Sequence, residues 1–243
     1  MGNKLVGRVA LVTGASKGIG KAIVSAYAKE GAAVVACARN EAGLNLAVAE
    51  MRSVGERVYA VAGDVGNPED AKRIVRQAQQ QFGGIHILVN NASLLGPRVP
   101  VAEYPLPAWE EVIRVNLTGP FLMIQETLKI MIPGRRGSII NVSSGVGRTG
   151  KARWGAYAVS KFGLEGLTQM LADEVREFGI RANAVNPGPT RTEMRASAYP
   201  DEDPMTLPTA DHITGVFVYL ASDESFEVTG RSFDAGDWRD RRS

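Results

Sequence analysis

Short apolar runs alternate with amphipathic stretches along most of the chain. Val9 to Val12 is continuous, largely β-branched and ended by Thr13-Gly14, the pattern of a strand buried on both faces that feeds a turn. Ala33 to Ala38 repeats it. Between them Ile19, Ile23, Ala26 and Tyr27 recur at the spacing of one helix face, and Gly31 after Lys29-Glu30 stops that helix, as glycine commonly does. The alternation continues with a helix from about Glu41 to Ser53, a strand at Arg57 to Val61, a helix opened by Asn67-Pro68 and closed near Gly83, and a strand at Ile85 to Val89. Pro68 suits a first turn, where the amide has no helical partner. A long helical pattern from about Ala108 to Met131, ended by Pro133-Gly134, precedes a strand at Ser138 to Val142. A second, from about Gly155 to Phe178, precedes a strand at Arg181 to Val185, and a helix near Asp211 to Ser222 and a short strand around Arg231 to Asp234 follow.

Strands that alternate with helices predict an α/β fold with a doubly wound parallel sheet, because parallel neighbours need crossover helices. No linker interrupts the pattern, so residues 1–243 are expected to form one domain. The stretch Arg191 to Pro208 carries three prolines and little apolar periodicity. It reads as an insertion over one end of the sheet, of the length often used for substrate lids.

Composition narrows the class without naming a chemistry. The chain has 44% hydrophobic and 22% charged residues and a net charge of +2, as ordinary globular proteins do. The one local basic excess is the tail Arg239, Arg241, Arg242, which reads as a solvated end and not as a nucleic-acid site. The single cysteine, Cys37, cannot form an intrachain disulfide and lies in an apolar run, so it is expected in the core. Met1-Gly2-Asn3-Lys4 opens without an apolar signal segment, and no run of about 18 apolar residues occurs. A cytoplasmic protein with no membrane span is expected.

Candidate chemistry clusters at the ends of the strands. Gly14, Ser16, Lys17, Gly18, Ile19 and Gly20 lie between the first strand and first helix, where glycines let the backbone approach a pyrophosphate and a helix N-terminus faces it. Their spacing differs from the common dinucleotide fingerprint, whose first two glycines are one residue apart. At the end of the second strand, Ala38-Arg39 stands where an acid would select a free ribose hydroxyl. A guanidinium there suits a 2′-phosphate, and Lys17 adds charge, so NADP(H) is favoured over NAD(H). Asp64-Val65 and Asn90-Asn91-Ala92 follow the third and fourth strands. Asp64 is placed to accept from an adenine amino group and Asn90 to hold the chain near the nucleotide.

Tyr157 and Lys161 are four apart on one helix and share a face, and Ser144 lies thirteen positions before the tyrosine. Carbonyl reduction needs a proton donor at the developing alkoxide and a hydrogen bond to the carbonyl oxygen. Tyr157 is the expected acid, acidified by Lys161 and the oxidised nicotinamide, and Ser144 the orienting group. Asn116, polar within an apolar helix, is read as holding a water that relays protons from Lys161, a role compatible with a structural side-chain to backbone bond.

In order and spacing, Thr13 to Gly20, Asp64, Asn90-Asn91-Ala92, Asn116, Ser144, Tyr157-Ala158-Val159-Ser160-Lys161 and Pro187-Gly188 resemble the short-chain dehydrogenases/reductases over nearly the whole chain, and their NADP(H)-dependent 3-oxoacyl-reductase-like members in particular. The resemblance implies a single Rossmann domain with a seven-stranded sheet and an oxidoreductase acting on CH-OH groups. It implies a catalytic set of Asn116, Ser144, Tyr157 and Lys161, and commonly a homotetramer built partly from the two long helices. It also implies cofactor contacts from Pro187, Gly188, Thr190 and Thr192, with Thr192 at the nicotinamide carboxamide. Ser93 replaces the glycine usual after Asn-Asn-Ala, so the pocket formed with Leu95, Trp154 and Met194 is expected to be smaller or more polar. No metal is expected. Relatives of this fold that act as lyases or dehalogenases lose the glycine loop or the lysine, and a redox sensor or scaffold would show a broken catalytic set; both features are intact in this sequence.

Overall fold

In the computed structural model, which describes residues 3–52 and 57–242, seven strands form one sheet. They are β1 (Val9–Thr13), β2 (Ala33–Ala38), β3 (Val58–Ala62), β4 (Ile87–Asn90), β5 (Gly137–Val142), β6 (Ile180–Asn186) and β7 (Ser232–Asp234). Every neighbouring pair is parallel, in the order β3-β2-β1-β4-β5-β6-β7. The order reverses between β1 and β4, so a crevice opens beyond their carboxyl ends. The expected helix end at Ser53 lies outside the described residues, as do Met1, Gly2 and the side chains of Arg239, Arg241 and Arg242.

Among the described residues eight α-helices accompany the sheet: α1 (Gly18–Lys29), α2 (Glu41–Arg52), α3 (Pro68–Phe82), α4 (Leu106–Ile113), α5 (Gly119–Gly134), α6 (Gly155–Glu174), α7 (Glu193–Ala198) and α8 (Gly215–Ala221). Successive strand side chains point to opposite faces, so each apolar run serves two cores. Ala10, Val12, Val34 and Ala36 pack with Ile23 and Tyr27 of α1, Leu44 of α2 and Phe217 of α8. Leu11, Val35, Cys37 and Leu88 pack on the other face with Ile74 of α3, Met123 of α5 and Leu171 of α6. Cys37 is the expected core residue, fully buried, with its thiol pushed up to about 12 by burial.

Boundaries follow local chemistry. Asn67 Oδ1 accepts from the amides of Glu69 and Asp70 at 2.9 and 3.1 Å, Pro68 opens α3, and Gly83 closes it in left-handed backbone. The long pattern from Ala108 is instead three consecutive pieces, α4, a π-helical turn at Arg114–Thr118, and α5. Pro133 does not end α5; it costs one backbone bond in the last turn, and the chain turns out at Arg135 in left-handed backbone. The segment 191–208 is braced. Arg191 donates to the carbonyls of Pro204 at 2.8 Å and Leu207 at 3.2 Å, and Arg195 grips Glu202 through two bonds of 2.6 Å.

Candidate active site

A cleft of about 1170 Å³ lies along the carboxyl edge of the sheet, larger than drug-sized pockets of roughly 300–1,000 Å³ and roomy enough for a dinucleotide and a second ligand. One end is built by the loop between β1 and α1. Thr13 Oγ1 accepts from the amides of Asn91 and Ala92, both at 3.0 Å, and Asn91 Nδ2 donates to the carbonyls of Thr13 at 2.9 Å and Gly14 at 3.1 Å. The loops after β1 and β4 are thereby tied together by reciprocal side-chain to backbone bonds. A Cβ on Gly14 would come within 2.8 Å of Ala92 Cα, and one on Gly20 within 2.2 Å of the Gly14 carbonyl oxygen. No side chain fits either place.

Helix α1 starts with no side-chain cap at Lys17 and no acid in its first turn. Its free amides and the positive end of its dipole are therefore open to an anion. Ser16, Lys17, Gly18 and Ile19 line the cleft here. Ser143 Oγ, at the next strand end, is buried and has no partner among the described residues, a polar group that asks for one. Together these features fit a dinucleotide with its pyrophosphate on α1.

One sequence expectation lands off the cleft wall, and a second keeps its place but gains partners that the sequence did not show. Asn90 does not line the cleft; its amide donates to Asn141 Oδ1 at 2.9 Å, and Asn141 donates to Thr168 Oγ1 at 2.9 Å. Alternation along β4 turns Asn90 into the sheet-helix layer, and the tethering expected of it belongs to Asn91. Asp64 does line the cleft, but its carboxylate accepts from Arg114 at 2.8 Å and from the Gly66 amide at 2.9 Å, and these bonds hold its pKa below the usual range against its partial burial. Arg114 lies fifty residues away in sequence, so this pairing carried no local signal.

Arg39 lines the cleft at the end of β2, half-exposed, with Glu111 Oε1 at 3.5 Å. Lys17 pairs with Glu193 at the start of α7. Val65, Ala92, Pro187, Gly188, Thr190 and Thr192 complete the wall. Thr192 caps α7, its Oγ1 accepting from the Arg195 amide at 3.2 Å.

At the other end Ser144, Tyr157 and Lys161 converge. Ser144 follows β5, and Tyr157 and Lys161 stand in the first turns of α6, nearly buried at 8% and 2% exposure. Lys161 Nζ donates to the Val142 carbonyl at 2.8 Å and lies 5.5 Å from the Tyr157 ring centroid. Burial pushes the Tyr157 phenol up, and a hydrogen bond with Ser144 pulls it the other way. Among the protein's own groups the direction is therefore set by desolvation, which sequence spacing does not reveal, with Ser144 and not Lys161 opposing it.

Burial also pushes the Lys161 ammonium down to about 8, with the charge of Glu165 resisting. The unfolded lysine titrates near about 10.4. Between those values the unfolded chain holds a proton that the folded chain has released, so stability attributable to this group rises with pH. Lys161→Met lacks that rise. Its unfolding free energy relative to wild type, followed by denaturant titration, should therefore fall as pH is raised from about 7 to about 10; a constant difference would contradict the assigned burial.

Asn116 sits inside the π-helical turn, fully buried. Its Oδ1 accepts from the Leu94 amide at 2.7 Å, and its Nδ2 donates to the Leu94 carbonyl at 2.8 Å and to Ser160 Oγ at 3.2 Å. The side-chain to backbone bond compatible with the relay role is formed. It fixes the loop that presents Ser93 and Leu95. Such π-helical turns occur frequently at functional sites, and apolar periodicity alone does not reveal one.

Leu95, Trp154 and Met194 line the remaining wall with Ser93, whose Oγ is buried without a partner. The Trp154 ring lies 5.5 Å from that of Tyr157 and 6.1 Å from that of Tyr199. Of the candidate residues, Gly20, Asn90 and Asn116 alone stand behind the cleft wall, as supports. Among the described residues no helix is long and apolar enough to cross a membrane.

Comparison with known proteins agrees with this architecture. A family model described as short chain dehydrogenase matches residues 8–203. The uncharacterized oxidoreductase YciK of Escherichia coli K12 is 38% identical over 231 residues, 94% of this chain and 91% of that protein. The 3-oxoacyl-[acyl-carrier-protein] reductase FabG of Vibrio cholerae is 35% identical over 236 residues, 94% of this chain and 95% of its own. A short chain dehydrogenase of Escherichia coli CFT073, solved in complex with NADPH, superposes with a TM-score of 0.90 at 38% identity, covering 96% of this chain and 98% of that one. The chain therefore belongs to the short chain dehydrogenase family, oxidoreductases on a Rossmann-type parallel sheet.

Proposed function

We propose that the protein interconverts a ketone or aldehyde and its alcohol with NADP(H), Tyr157 serving as proton donor in reduction and acceptor in oxidation. The observation that carries this reading is that the Tyr157 phenol, Ser144 and the Lys161 ammonium line one end of a cleft whose other end is the uncapped start of α1. Bound there, the nicotinamide supplies or receives the hydride. Tyr157 gives its proton to the oxygen that becomes the alcohol. Ser144 Oγ orients that oxygen and shares its developing charge. Lys161, buried and cationic below about pH 8, favours the phenolate left behind. Asn116 positions the loop over the substrate, Gly14, Gly18 and the α1 amides carry the pyrophosphate, and segment 191–208 covers the substrate end. Exposed Phe121 on α5 and Val159, Phe162 and Met170 on α6 support association of identical chains through these helices.

Arg39 and Lys17 support NADP(H) over NAD(H), as does the NADPH held by the similar structure. Ketone-dependent oxidation of the reduced coenzyme is the experiment, run with both forms. Arg39→Asp replaces a phosphate partner with a ribose partner, and the ratio of kcat/KM for NADPH to that for NADH should fall by about tenfold or more, the worth of a charge-assisted bond. An unchanged ratio would mean that Arg39 does not contact the phosphate.

A further inference from the structure

The substrate end of the cleft is apolar near Tyr157 and cationic one ring further out. Beyond Trp154 stands Tyr199, and three cations surround its ring. Arg195 lies 3.8 Å from the centroid, Arg98 4.9 Å and Lys151 5.7 Å. Arg98 also stacks on Trp154 at 4.5 Å, and Lys151 Nζ is 3.4 Å from the Tyr199 hydroxyl. Among the described residues Glu202 is the one carboxylate paired with this group, and it is spent on Arg195 through two bonds. Among the described residues neither Arg98 nor Lys151 has an acid within ion-pair distance. Arg98 instead donates to the Ala198 carbonyl, and its Nε is buried without a partner.

Two cations without acids, held against a shared aromatic ring, leave this wall with excess positive charge. Cation–π contact offsets part of that cost. What remains favours an anion, because unlike charges attract more strongly in a cleft than in open water. Lys151 and Tyr199 both line the cleft, and Lys151 is exposed to it while Arg98 sits behind. From these contacts we infer that the physiological substrate carries a carboxylate on the side away from its carbonyl, received by Lys151 Nζ and the Tyr199 hydroxyl, with Arg98 adding charge from behind. The inference deepens the proposed function and rests on it: Tyr157 handles the carbonyl end, Trp154 lies along the linking carbons, and the cationic end selects keto acids over neutral ketones of equal size. The alcohol formed is then a hydroxy acid.

The test compares a series of keto acids of increasing chain length with their methyl esters as substrates for NADPH oxidation. Wild type should prefer the acid of suitable length over its ester by about tenfold in kcat/KM, the lower end for a charge-assisted contact. Lys151→Gln should bring the acid down towards its ester through a higher KM with kcat retained, and Lys151→Arg should restore the preference. Lys151 is exposed, so neither variant threatens folding. Reduction of esters and acids at equal efficiency by wild type, or an acid preference that survives in Lys151→Gln, would overturn the inference and leave the proposed function standing. No NADPH oxidation with any acid, ester, neutral ketone or aldehyde would instead reject the proposed function, and this inference with it.

Discussion

Tyr157→Phe is expected to lower kcat for ketone reduction by about 10²–10⁴, the range for loss of a positioned general acid, while the dissociation constant for NADPH stays nearly unchanged. The phenol hydroxyl is the single atom removed, and the ring remains packed against Trp154. The glycine loop and the start of α1 lie at the opposite end of the cleft and do not depend on it. Losses of equal size in kcat and kcat/KM would identify an interaction made only in the transition state. Fluorescence titration with NADPH and steady-state assays with one ketone check both halves. Retained turnover would reject the assigned acid, and lost NADPH binding would mean that the hydroxyl holds the fold of the cleft.

Gly20→Ala should be almost as damaging through a different physical route. Its Cβ would stand 2.2 Å from the Gly14 carbonyl oxygen and 2.6 Å from Asn91 Nδ2. Neither neighbour can yield alone, because Asn91 bonds the carbonyls of Thr13 and Gly14 and so ties the loop to β1. Relief requires α1 to move away from the loop that it presents to the pyrophosphate. Overpacking of this kind costs about 1–3 kcal/mol in stability, and NADPH affinity should fall by about tenfold or more as the amides lose alignment. Gly150→Ala, where a Cβ meets nothing within 4 Å, should change neither melting temperature nor NADPH binding. Equal behaviour of the two variants would show that Gly20 is not held as tightly as its contacts require.

Much of the fold was legible because a parallel sheet writes itself as apolar runs separated by amphipathic helices. β2 spans the run read from sequence, Ala33–Ala38, and α3 begins and ends at the Asn67-Pro68 and Gly83 signals. The π-helical turn was not legible, since α4 and α5 share one continuous apolar stripe and one wider turn leaves little trace in it. The site was legible where chemistry depends on local spacing, as for Tyr157 and Lys161 on one face of α6. It was not where partners lie far apart in sequence: Asp64 with Arg114, Asn90 with Asn141, and Lys17 with Glu193. Nor could spacing reveal desolvation, the effect that raises the Tyr157 phenol and lowers the Lys161 ammonium.

The measurement that bears most directly on the whole account is absorbance at the reduced-nicotinamide band while the protein meets NADPH and a panel of ketones and aldehydes across neutral and mildly alkaline pH. The account predicts coenzyme consumption with at least one carbonyl compound, faster with NADPH than with NADH. Tight binding of NADPH with no carbonyl compound reduced at any pH would contradict it, and would leave a protein that holds the dinucleotide without turning it over.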